Sequence, residues 1–139
     1  MAQQKVIPFM KELCDLGYIV SLETNGYYDT KDVDPRVVKV IDIKTPDSGE
    51  GESFNHANIA ALLPHDQVKF VVCSEKDYLW SRDFMLEKKL HEKCTVFMSP
   101  SFEEMTPIML AEKILTDSLP ARLQLQLHKY IWSPSTRGV

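Results

Sequence analysis

Helix-like and strand-like periods alternate along this chain, and that alternation restricts it to a small set of layered α/β folds. Val6, Phe9, Met10, Leu13 and Leu16 recur at three- and four-residue steps, the apolar stripe of a helix. Pro8 suits its first turn and Gly17 is placed to end it. Five strand-like runs follow, at 18–24, 37–43, 68–73, 95–98 and 122–127. Between them, helices are expected over 55–63, from the N-cap Ser74 to about His91, and from Thr106-Pro107 to Leu115. Asp77, three residues after Ser74, completes a weakened capping box. The stretch 45–53 carries a proline, two glycines and three acids and reads as a loop. The order α-β-β-α-β-α-β-α-β predicts an α/β fold with a mostly parallel sheet and one domain over 1–139. The first helix has no strand before it, whereas a parallel sheet sets each helix between two strands as a crossover.

A chain of 139 residues can bury a real core, and 44% apolar with 26% charged residues is the balance of an ordinary globular protein. A net charge of −4 gives no overall attraction to nucleic acid. No apolar run approaches the roughly 20 residues that span a bilayer, and the first residues, Met-Ala-Gln-Gln-Lys, do not read as a signal peptide. Cys14, Cys73 and Cys94 are far apart and form no Cys-x-x-Cys pair, so they read as reduced core thiols of a cytoplasmic protein. Their spacing does not define an iron–sulfur site. The four histidines are scattered, without HExxH spacing, and no P-loop, GxGxxG or GxSxG motif occurs.

The polar groups that could do chemistry collect where strands end. Glu23, Thr24 and Asn25 follow Leu22 at once, and Gly26 lets the chain turn. Ligands of parallel α/β folds bind just beyond the carboxyl ends of strands, so this cluster is a candidate wall of a site. Asp42-Ile43-Lys44 ends the next strand; a lysine there can meet a carboxylate or phosphate, although alone it reads as a surface lysine. Ser99-Pro100-Ser101-Phe102 ends another strand and could grip an adenosine-like ligand, or simply form a proline-stiffened turn. Gln124, Gln126 and His128 alternate with leucines, so their face is either solvated or turned toward a ligand.

Taken together, L-E-T-N-G at 22–26, D-I-K-T-P-x-S-G-E at 42–50, V-K-F-V at 68–71, S-P-S at 99–101 and L-Q-L-Q-L-H-K-Y-I-W at 123–132 resemble the C-terminal part of the 7-carboxy-7-deazaguanine synthases, radical SAM enzymes of queuosine biosynthesis. The resemblance covers essentially the whole chain, and LQLHK is its most specific piece. It implies the back half of a partial (β/α) barrel, with the partner strand of the first helix lying upstream. Family members carry an N-terminal motif of three cysteines holding a 4Fe-4S cluster and a GGEP segment that binds SAM; neither is in this sequence.

The resemblance further implies a carbon–nitrogen lyase reaction in which 6-carboxy-5,6,7,8-tetrahydropterin becomes 7-carboxy-7-deazaguanine and ammonia is released. SAM, the cluster and Mg²⁺ serve as cofactors, and a 5′-deoxyadenosyl radical abstracts a substrate hydrogen. Asp42, Ile43 and Lys44 match a SAM-contacting segment that is usually S-P-K, of which only Lys44 is retained. Ser99, Pro100, Ser101 and Phe102 match a second such segment, with Ser99 in place of a common Gln. Glu23, Thr24 and Asn25 lie where SAM would pass, and His128 and Pro134 fall near the substrate. The expected partners are a small pterin, with no nucleic acid and no membrane; an exposed edge strand would allow a homodimer. The chain by itself is expected to lack the radical chemistry. The alternative is a cluster-free α/β module that binds a nucleotide-like ligand or a partner subunit without catalysis.

Overall fold

The computed structural model describes residues 6–49, 53–101 and 104–132. Five strands, β1 (Ser21–Thr24), β2 (Val38–Ile43), β3 (Gln67–Val72), β4 (Thr95–Pro100) and β5 (Arg122–Leu123), form one sheet in the order β1-β2-β3-β4-β5. Every pairing is parallel, as the alternating sequence requires. The helices are α1 (Val6–Asp15), α2 (Glu75–Glu87), α3 (Leu90–Lys93), α4 (Pro107–Thr116) and α5 (His128–Ile131). Among the described residues, no helix is long and apolar enough to cross a membrane.

The two sides of the sheet differ. Ile41, Ile43, Val68, Phe70, Val72, Val96 and Met98 point to one side, where they pack with Tyr78 and Met85 of α2 and Leu110 and Ile114 of α4. Phe70, Val72, Met85, Met98 and Leu110 are fully buried, and each such side chain contributes roughly 1.5–3 kcal/mol of transfer free energy. The alternate residues of β2 and β3, such as Val40, Asp42, Lys69 and Val71, are only half-buried and form an open face. A second apolar cluster joins Met10 and Cys14 of α1 to Val33 and Val37, with Val20 and Leu22 against it. Behind the covered face, at the amino end of β2, the Lys39 ammonium meets Asp66 at 2.9 Å, with both side chains almost wholly out of solvent. Asp66 also accepts the backbone N–H groups of Lys39 and Leu63.

The helix ends follow the sequence. Gly17 has φ 88°, and the Tyr18 and Gly17 N–H groups return to the Leu13 and Cys14 carbonyls, closing α1. Ser74 caps α2 by accepting the Asp77 N–H, and Thr106 caps α4 by accepting the Met109 N–H, with Pro107 in the first turn.

Four expectations need correction. The strand expected over 18–24 pairs only from Ser21, and Ile19 is 96% exposed. The helix expected over 55–63 is a 3₁₀ turn, His56–Ile59. Its Asn58 is fully buried and spends its amide on the Thr30 N–H and hydroxyl and on the Gly26 and Tyr28 carbonyls, and Pro64 follows. The helix begun at Ser74 stops at Glu87; Lys89, at φ 52°, breaks it before the single turn of α3. The strand expected over 122–127 pairs only at Arg122 and Leu123, and His128 opens α5. Leu125 and Leu127 are exposed, so the alternation there had no covering layer to match.

Candidate functional site

Because all pairings are parallel, the carboxyl ends of the strands, Thr24, Ile43, Val72, Pro100 and Leu123, lie along one edge. The polar segments singled out in the sequence therefore gather there. Phe102 and Pro134 lie outside the described residues.

At β1, Glu23 is exposed on the open face beside Val40, and no hydrogen bond or ion pair holds it among the described residues. Thr24 and Asn25 are engaged locally: the Thr24 hydroxyl accepts the Gly26 N–H at 3.1 Å, and the Asn25 side chain accepts the Tyr27 N–H at 3.2 Å. These bonds shape the turn, which leaves the Asn25 NH₂ free to donate. The turn is held close. Gly26 has φ 71°, and a Cβ there would stand 2.6 Å from the Phe54 ring.

At β2, Ile43 points into the core, so only its main chain could face a ligand. Asp42 and Lys44 form an ion pair at 2.8 Å, each about 30% exposed. One Asp42 oxygen takes the Lys44 ammonium, while the other, Oδ1, is buried without a partner. Lys44 is placed by the loop after it. The buried Asp77 carboxylate accepts the Thr45 hydroxyl at 2.9 Å, the Asp47 N–H at 3.0 Å and the Cys73 N–H at 3.1 Å. Ser74 and Lys76 bond the Asp47 carboxylate from the other side. The turn after β3 and the turn after β2 are thus one unit. Asp77 does not close the capping box back to Ser74; it reaches across the edge instead.

At β4, Ser99 and Pro100 lie within the strand rather than beyond it. Ser99 is fully buried and its hydroxyl has no partner. The Ser101 N–H bonds the Val72 carbonyl at 2.8 Å. A pocket of about 270 Å³ opens beside this segment, walled by Pro100, Ser101, Met105 and Pro107 on one side and Leu125, Gln126 and Tyr130 on the other. Ligand pockets usually span roughly 300–1,000 Å³, so this one suits part of a nucleoside-sized ligand. His128 is exposed and does not line it. Two larger depressions, about 590 Å³ around Pro35, Lys39 and Ala60 and about 430 Å³ between α2 and α4, lie away from the strand ends. The parallel-sheet rule favours the smaller pocket.

The residues at this edge fit SAM in part: Lys44 offers a cation, Ser101 a hydroxyl and Asn25 an amide donor. They do not fit a metal. Among the described residues, no group of three His, Cys, Asp or Glu side chains could hold an ion. Burial pushes the Cys73 thiol up, with the Asp77 charge adding to it, so it stays protonated near neutrality. Asp77 and Tyr130 were missed in the sequence reading: Asp77 was read as a cap, and Tyr130 lay beyond a strand that ends early.

Comparison with models of protein families gave no match. Comparison with curated proteins gave several. A protein of Chlorobaculum tepidum named 7-carboxy-7-deazaguanine synthase is 42% identical over 142 residues, covering all of this chain and 64% of its own length. One of the same name from Koribacter versatilis is 40% identical over 152 residues, covering all of this chain and 67% of its own. A third, from Methanospirillum hungatei, is 33% identical over 135 residues, 96% of this chain and 55% of its own length. The chain thus spans about two thirds of the length of the first two relatives.

Proposed function

The chain belongs to the 7-carboxy-7-deazaguanine synthase family, and from that premise we propose that its carboxyl edge is one wall of a SAM and substrate site. The reaction proposed for the complete enzyme is the conversion of 6-carboxy-5,6,7,8-tetrahydropterin to 7-carboxy-7-deazaguanine with loss of ammonia, in the cytoplasm, on the way to a modified tRNA base. It is a radical SAM carbon–nitrogen lyase reaction, in which SAM supplies the radical-forming group. The part of this chain is binding and orientation, the share that protein takes in most cofactor chemistry. Lys44 neutralises an anionic group, Ser101 offers a hydroxyl at the 270 Å³ pocket, and Glu23, Thr24 and Asn25 stand at the end of β1 along the path of SAM. With no metal-holding group among the described residues, this chain alone is proposed to bind without turning over.

The observation that supports this reading best is the pocket of about 270 Å³ at the strand ends, walled in part by Pro100 and Ser101 of a segment that resembles a SAM contact. The test is a titration of SAM into the isotopically labelled chain, followed by amide NMR shifts. Shifts confined to Glu23–Tyr27, to Lys44, to Ser99 and Ser101 and to Gln124–Gln126 are expected. Absence of shifts at this edge, or shifts centred on the groove between α2 and α4, would refute the assignment.

A further inference from the structure

We propose that Asn58 is a positioning residue of the strand-end site: through one peptide plane it sets where the Asn25 side chain points. The inference rests on the reading above, that the end of β1 stands along the path of SAM, and it names the device that holds that end in its binding shape. The device is the peptide unit joining Gly26 to Tyr27. Its carbonyl accepts the Asn58 side-chain NH₂ at 2.8 Å and the Asn55 backbone N–H at 2.9 Å. Its other end, the Tyr27 N–H, donates to the Asn25 side-chain oxygen at 3.2 Å. A peptide unit is planar and turns as one body, so fixing the carbonyl fixes the N–H. That N–H in turn decides how the Asn25 amide lies, with its NH₂ left for a ligand. Asn25 is exposed, and among the described residues no other hydrogen bond orients its side chain.

Asn58 has the chemistry for this. It is fully buried, and its amide is used to capacity. The oxygen accepts the Thr30 N–H at 2.8 Å and the Thr30 hydroxyl at 3.1 Å, and the nitrogen donates to the Gly26 carbonyl and, at 3.0 Å, to the Tyr28 carbonyl. Half a turn of the amide would set its oxygen against two carbonyls and its nitrogen against the Thr30 N–H, so one orientation is enforced. A satisfied buried amide serves stability wherever its bonds go. Here all four end on the loop that leaves β1, and none on the sheet or on the 3₁₀ turn that carries Asn58. Phe54, from the same segment, closes on Gly26 as well. The segment 54–58 thus does for the end of β1 what Asp77 does for the ends of β2 and β3. An edge ordered before SAM arrives loses less freedom on binding it.

The test titrates SAM into the isotopically labelled full chain and follows side-chain as well as backbone amides. In the parent chain, the NH₂ signals of Asn25 and Asn58 are expected to shift together with the Gly26 and Tyr27 amides, because bonds in a chain polarise one another. Asn58→Ala frees the peptide and should weaken SAM about tenfold. Asn58→Asp keeps acceptors for Thr30 but turns an oxygen on the Gly26 carbonyl, and should weaken SAM as much. Thr30→Val removes the hydroxyl bond alone, spares Gly26 and should leave the affinity unchanged. Met85→Ala, which opens a cavity under α2 and costs stability away from the strand ends, should leave it unchanged too. Thermal melts identify the folded variants. Parent affinity in a folded Asn58→Ala, or an equal loss in Met85→Ala, overturns the proposal. So does an Asn58 NH₂ signal that stays still in the parent while the end of β1 shifts, a result that needs no variant to fold. Shifts at Lys44 and Ser101 with none at Asn25 to Tyr27 sink this inference alone; no shift anywhere along the carboxyl edge sinks the site reading and this inference with it.

Discussion

Asp77 joins two turns of the binding edge, and its removal should be felt in stability. Its carboxylate is fully buried and accepts from Thr45, Asp47 and Cys73, two of these donors being backbone N–H groups. Hydrogen bonds to a charged group contribute about 1.5–3 kcal/mol each, and a stranded buried donor costs about 1–3 kcal/mol. The loop at Asp47 can turn toward water, so the contributions do not sum; Asp77→Ala should cost about 3 kcal/mol. For a chain of this size that lowers Tm by roughly 10 °C. Asp77→Asn keeps one accepting oxygen but aims an NH₂ at a donor, for about 2 kcal/mol. Thr45→Val removes the hydroxyl that lies between the Asp77 carboxylate and the Val71 carbonyl, for about 1 kcal/mol. Urea unfolding followed by the fluorescence of Trp80, whose ring stacks on Phe84 at 4.9 Å, reports each value. If the two residues act through one network, Thr45→Val on the Asp77→Ala background should cost clearly less than alone, keeping only the share of the Val71 carbonyl. Strict additivity, or an Asp77→Ala cost under about 0.5 kcal/mol, would refute the network.

Gly26→Ala meets both a left-handed backbone and the Phe54 ring, so it should cost about 2–3 kcal/mol, with partial rescue by Phe54→Leu in the same melts. Burial, then the Asp66 charge, pushes the Cys94 thiol up to about 11 from 9.0. The folded state therefore holds a proton that the unfolded state has lost between those values, and stability should fall as pH rises from about 9 to 11, by at most roughly 3 kcal/mol. Cys94→Ala should flatten that fall; an equally steep loss in the variant would refute the assignment.

The central sheet was legible because its signal is local. β2, β3 and β4 are short runs rich in β-branched and aromatic residues, and in β3 Val68, Phe70 and Val72 alternate with Gln67 and Lys69 so as to report which side is covered. The strand ends at Thr24 and Lys44 were legible for the same reason. The segment 122–127 misled because Leu and Gln alternate there as in a strand, while only two residues find a neighbour to pair with. The segment 55–63 misled because Asn58 turns its amide to a loop some thirty residues away, which no helical period reveals. Asp77 and Thr45 stand 32 positions apart, and nothing near either announces the other.

The buried Lys39–Asp66 pair lies at the amino end of the sheet, away from all of this chemistry. Its consequence is for alignment during folding. Sliding β2 by one residue against β3 would turn Lys39 to the open side and Val38 to the packed side, leaving Asp66 buried without a counter-ion. An uncompensated buried charge costs about 3–5 kcal/mol, and the same slip would carry Asp42 into the packed layer. Charged positions at both ends of β2 thus make the shifted sheet prohibitive, where exchanging Ile41 for Val40 alone would nearly be tolerated.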